Sequence, residues 1–221
     1  MYNWRFGTFA RYANTKTWPC SCISIENNVY VIGGTDGSHN PTSSVERFEM
    51  VSQEWQFIAK LSYPRSKPLV AVSHANYNIY ISGGSHSRTG DNVIEYYSPR
   101  IDYWNQIEVN LDFRVTNVKT HMVVYNEDYM PARDRNNPGA YESDDKLLFV
   151  HYDNIVYPVP DIYFISAGLG VVEELKYDKT NSTVSTYFKK KMIYDKQTKQ
   201  LIAFSGTDFL TVDFMDTTDE F

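Results

Sequence analysis

The sequence predicts an all-β protein, a small β-propeller of about four blades, on the strength of three repeated features. Val29-Tyr30-Val31-Ile32-Gly33-Gly34 returns as Ile79-Tyr80-Ile81-Ser82-Gly83-Gly84, fifty residues later. Val45-Glu46-Arg47-Phe48 returns as Ile94-Glu95-Tyr96-Tyr97, and Trp55 returns as Trp104. Arg65 and Arg114 each follow their tryptophan by ten residues. A strand, a double glycine, a strand and a tryptophan at a period near fifty mark one propeller blade. Such a unit hides its apolar faces only by stacking on its neighbours.

Each element then follows in order. In the first unit, Cys20 to Ile25 reads as the inner strand and Glu26-Asn27-Asn28 as its turn. Val29 to Ile32 is the second strand, and residues 35–43 form a polar loop after the glycines. Val45 to Phe48 and Trp55 to Ala59 complete the four strands, and Ser62-Tyr63-Pro64-Arg65 crosses to the next unit. Short β-branched and aromatic runs separated by polar turns are the expected strand pattern. The second unit repeats it with Leu69 to Ser73, Ile79 to Ser82, Val93 to Tyr97 and Trp104 to Val109.

Beyond residue 115 the motif fades. His121 to Tyr125 and Lys146 to Tyr152 read as strands around a long polar insertion, residues 126–145. Ile162 to Ala167 and Val171 to Tyr177 finish a third unit. An alternative matches Asp161 to Gly168 with the double-glycine strand, which makes five units. Phe188 to Tyr194, Gln200 to Ser205 and Leu210 to Met215 supply three further strands. Trp4 lies 51 residues before Trp55, which lies 49 before Trp104. Residues 2–9 are therefore expected to add the outer strand of the last blade, making residues 1–221 one closed domain without open edges.

Bulk composition narrows the function classes. The 221 residues are 42% hydrophobic, enough for a packed core, and include 18 tyrosines and 12 phenylalanines, which favour strands. The net charge of −6, with no basic block, disfavours nucleic acid as a general ligand. Cys20 and Cys22 are the only cysteines, too few for a disulfide framework or a zinc set, and read as strand residues of a reducing compartment. Met1 to Ala10 has no long apolar core of a signal peptide, and no stretch approaches the roughly eighteen apolar residues of a membrane span. A cytoplasmic location is expected.

Residues 20–114 resemble the kelch repeat family. The resemblance rests on Gly33-Gly34 and Gly83-Gly84, Tyr30 and Tyr80, Glu46 and Glu95, and Trp55 and Trp104. It implies a kelch-type propeller, although family members usually have more blades than four. Kelch substrate adaptors of ubiquitin ligases usually carry a BTB-like or BACK-like region before the repeats. The start of this chain does not resemble one, so a bare propeller is expected. The motif residues have structural roles: glycines for a backbone bend, tryptophans for cover between blades. The two arginines are expected to bond loop carbonyls or to pair with Glu46 and Glu95.

Candidate chemistry is sparse. His39 and His86 lie in equivalent loops after the glycine pairs, with Asp36, Arg88 and Asp91. These five residues could line a small-ligand pocket on the axis. The sequence lacks a serine elbow, a Walker loop and a dinucleotide fingerprint, and no catalytic residue, cofactor or metal is expected. The insertion is more distinctive, carrying Tyr129, Met130, Arg133, Arg135 and Tyr141 between acidic residues. Tyrosine, methionine and arginine anchor protein interfaces, and long propeller loops present binding surfaces. The leading expectation is a non-catalytic protein-binding module, an adaptor or accessory subunit of a larger assembly with one or more protein partners. The alternative is a small carbohydrate- or metabolite-binding kelch domain. A third is an assembly protein with no separate recognition role.

Overall fold

In the computed structural model, the described residues form fifteen β-strands in antiparallel sheets. The structure describes residues 19–73, 76–84, 93–116, 119–125, 145–151, 161–168 and 170–174, together with strands 192–195, 200–205 and 208–213. The chain divides into two units, residues 1–118 and 119–221.

The first unit holds two four-stranded meanders. One runs β1 (Ser21–Ile25), β2 (Asn28–Ile32), β3 (Val45–Glu49) and β4 (Glu54–Phe57). The other runs β5 (Leu69–Val72), β6 (Ile79–Ser82), β7 (Val93–Ser98) and β8 (Tyr103–Glu108). Equivalent strands pair in equivalent register: Val31 faces Glu46 across β2–β3, and Ile81 faces Glu95 across β6–β7. The predicted strands agree with these bounds to within two residues.

The core of this unit lies between the two sheets. Ile25, Tyr30, Ile32 and Val45 from the first sheet pack with Ile79, Ile81, Tyr97 and Trp104 from the second, and Leu61 of the connection joins them. Alternation puts Tyr30 and Ile32 on this face of β2, while Val31 packs on the opposite face with Cys20 and Trp55. Every residue of β6 is buried, polar Ser82 included, so both faces of this strand are covered. Each fully buried aliphatic side chain here contributes about 1.5–3 kcal/mol. Cys20, just before β1, is buried and Cys22 within it is exposed; both remain thiols.

The second unit holds a meander of β9 (Thr120–Tyr125), β10 (Lys146–His151), β11 (Asp161–Ser166) and β12 (Val172–Glu174). Strand β11 pairs with both β10 and β12, the third position in its sheet, where the four-unit reading put it. Leu147, Leu148, Phe149 and Val150 are all buried, so both faces of β10 are covered. Thr120 faces His151 in the register, and their buried side chains share a hydrogen bond of 3.0 Å. A fourth sheet has, among the described residues, three strands, β13 (Met192–Asp195), β14 (Gln200–Ser205) and β15 (Asp208–Asp213). Residues 2–9, the expected closing strand, lie outside the described residues.

Candidate functional site

The glycine pairs, arginine and tryptophan converge on the junction between the first two sheets. Gly33 and Gly83 sit at φ +60° and +63° at the ends of β2 and β6. A Cβ on Gly33 would lie 2.2 Å from the Arg65 carbonyl oxygen, and one on Gly83 would lie 2.4 Å from that of Val115. Each glycine therefore lets the segment after the sheet's last strand pass against the sheet, a contact any side chain would block.

That close approach delivers Arg65 into the core. Its side chain is fully buried, and Nε donates to Glu95 Oε1 at 3.0 Å. Nη1 donates to the Gly83 carbonyl at 2.8 Å and Nη2 to the Val93 carbonyl at 3.0 Å. The second Glu95 oxygen accepts the Ser62 amide at 2.6 Å. Both expected roles of this arginine thus coexist, and its carboxylate partner belongs to the following sheet.

Trp104 covers the same junction from the outside. Its Nε1–H donates to the Ala59 carbonyl at 2.8 Å, and its ring lies 5.2 Å from that of Tyr97. Asp102 ties the turn before it, accepting the Ala59 amide at 3.1 Å and the Tyr97 hydroxyl at 2.9 Å. Burial, reinforced by the Asp102 carboxylate, pushes the Tyr97 phenol well above its ordinary range. Trp55, in the equivalent place, is only half-buried and packs on Phe48 at 5.1 Å. Glu46 is fully buried like Glu95.

The alternative ligand set falls differently. Asp36 is committed to its own loop: its Oδ1 accepts the Ser38 amide at 2.8 Å and the Asn40 amide at 2.9 Å. The Asn40 backbone bond, with those from Ser38 and the Asn40 side chain, holds this carboxyl below the usual carboxylate range. His39 is exposed at the tip of the same loop, at φ +64°. His86, Arg88 and Asp91 lie outside the described residues. So do Tyr129, Met130, Arg133, Arg135 and Tyr141. The insertion leaves β9 at Tyr125 and meets β10 at Lys146, and at its end Asp145 is buried, its carbonyl accepting the Ala167 amide at 2.9 Å. Among the described residues no group of three or more His, Cys, Asp or Glu side chains is placed to hold a metal ion.

Sequence reasoning passed over the outer turns. Met50, Val51 and Ile101 are exposed in the β3–β4 and β7–β8 turns, and Val171 is exposed in the β11–β12 turn. An aliphatic residue in a hairpin turn was the available signal, because such turns ordinarily take Gly, Pro, Asn, Asp or Ser.

These features define a first unit built from two repeated four-stranded sheets whose motif residues lock the first sheet to the second. The kelch motif matches residues 19–62 and 68–108, so the two sheets of the first unit are similar to kelch repeats. An F-box/kelch-repeat protein of Arabidopsis thaliana is 28% identical over 44% of this chain and 25% of its own length. Beta-scruin of Limulus polyphemus is 30% identical over 38% of this chain and 10% of its own length. Kelch-like protein 35 of Mus musculus is 26% identical over 48% of this chain and 18% of its own length. The chain thus spans a quarter or less of these curated relatives. Kelch-repeat folds generally serve in protein–protein interactions and are typically non-catalytic. Among the described residues no helix is long and apolar enough to cross a membrane.

Proposed function

We propose that this chain is a non-catalytic protein-binding propeller, an adaptor or accessory subunit of a larger assembly, acting in the cytoplasm. The observation that carries the reading is where the motif chemistry is spent. Arg65, Glu95, Trp104 and Asp102 all hold one sheet to the next, and Asp36 holds its own loop. What such a framework offers to another molecule is its loops and turns. In this reading the four sheets belong to one propeller, closed by residues 2–9, and the 126–145 insertion contacts the partner through Tyr129, Met130, Arg133, Arg135 and Tyr141. The alternative carbohydrate or metabolite site draws less support, because Asp36 Oδ1 already accepts two backbone amides of its own loop.

The test is deletion of residues 126–145 in a tagged chain, with thermal unfolding as the fold control. Loss of a co-purifying protein with an unchanged melting temperature supports the reading. Retention of every partner by the folded deletion variant rules out the insertion as the contact.

A further inference from the structure

We infer that the β3–β4 and β7–β8 turns form a docking surface for a basic segment of a partner protein that carries apolar anchor residues. The inference rests on the protein-binding reading and assigns it a second surface, apart from the insertion.

Both turns occupy the same place in their meanders, at the end of the sheet opposite the glycine pairs. Val51 is 77% exposed and Ile101 47%, with Met50 and Tyr103 exposed beside them. A single exposed aliphatic residue on a surface is ordinary. Here the feature recurs at the same turn of two sheets packed on one core, and again in the third sheet, where Val171 is 48% exposed. Three aliphatic residues at a position that ordinarily takes turn-forming polar residues point to a retained apolar contact.

The turns are held rigid. Met50 N–H donates to the Asn27 carbonyl at 2.8 Å, and Gln53 N–H to Glu49 at 2.8 Å. Ser52 Oγ donates to Glu49 Oε2 at 2.9 Å, and the second turn is pinned by Tyr97 and Ala59 on Asp102. Gln53 and Asp102 share a left-handed backbone, at φ 58° and 48°. A surface already fixed in shape loses little conformational freedom when a partner binds.

Charge selects the occupant. Glu49, Glu54 and Asp102 flank the two apolar tips, with Arg100 as the opposing charge within residues 49–54 and 98–103. Carboxylates around an apolar centre complement lysine or arginine around an apolar anchor, and oppose an acidic segment or an anionic lipid surface. The same carboxylates disfavour a second copy of this turn.

The test uses fluorescence anisotropy with synthetic peptides carrying Leu, Phe or Trp flanked by Lys or Arg, and matched peptides flanked by Glu. The variants are Val51→Ser with Ile101→Ser, and Glu54→Lys alone, each checked for an unchanged melting temperature. The wild type is expected to prefer the basic peptides. The double variant should lose about tenfold or more in affinity, and E54K should weaken binding most at low salt. Equal binding of basic and acidic peptides, or equal binding by wild type and double variant, overturns the inference. Co-purification that needs residues 126–145 would in that case leave the protein-binding reading standing. A concentration-dependent dimer in sedimentation, abolished by the double variant, would make the occupant a second copy and overturn the basic partner.

Discussion

Replacing Arg65 by methionine should be among the most damaging single changes in the first unit. Methionine keeps most of the volume and removes the charge and all donors. Arg65 and Glu95 are both fully buried, so the variant strands the Glu95 carboxylate without the cation 3.0 Å away. It also leaves the Gly83 and Val93 carbonyls without the donors they now accept. Removing one member of a buried ion pair costs about 3–5 kcal/mol, chiefly as the penalty on the charge left behind. For a chain of this size that lowers the melting temperature by roughly 6–20 °C. Urea unfolding followed by tryptophan fluorescence, with Trp104 at the junction, reads the change directly. Adding Glu95→Gln should recover part of the loss, because the stranded charge is gone, with a coupling of about 0.5–3 kcal/mol between the two positions. An R65M variant within about 1 kcal/mol of wild type, or strictly additive effects of R65M and E95Q, would refute the reasoning.

Three further outcomes follow from the same geometry. Gly33→Ala and Gly83→Ala should each cost at least about 2 kcal/mol in urea unfolding, from the left-handed backbone and the carbonyl contact together. Gly37→Ala, whose Cβ meets nothing within 4 Å, should stay within about 0.5 kcal/mol. Trp104→Ala should cost about 3–5 kcal/mol and half-buried Trp55→Ala clearly less, measured by the same unfolding curves. Burial holds the His121 imidazole below its usual 6.5. The unfolded chain therefore takes up the proton first. His121 contributes fully above that pH and progressively less as pH falls from 6.5 toward the folded-state value. His121→Gln should flatten the fall in the urea midpoint between about pH 7.5 and about pH 5.5, and an unchanged slope would show that this histidine does not carry it.

Much of the fold was legible because the repeated residues are the ones that pack. Tyr30, Ile32, Ile79 and Ile81 alternate in strands that the double glycines end, so two sheets could be read almost residue by residue. The third sheet lacks the glycine pair, yet its buried run Leu147 to Val150 still announces a strand covered on both faces. What one sequence does not encode locally is who meets whom. Arg65 could have chosen either glutamate, and only the packing of the second sheet on the first delivers Glu95 to it. Trp55 and Trp104 look alike in sequence but differ in burial, because cover depends on what lies beyond the sheet. Positive φ at Glu26, His39, Gln53 and Asp102 was also invisible, since non-glycine residues take that conformation only under tertiary constraint. For the candidate site, Asp36 read as a potential ligand residue, and the structure shows its oxygens accepting amides of its own loop.

The most direct test of the central claim is the native mass of the assembly formed by the tagged chain, recovered at native expression level, with its components identified. A protein-binding propeller predicts a stoichiometric complex containing at least one further protein, stable through purification. Recovery of the chain as a lone 25.6 kDa monomer under the same conditions would contradict the account.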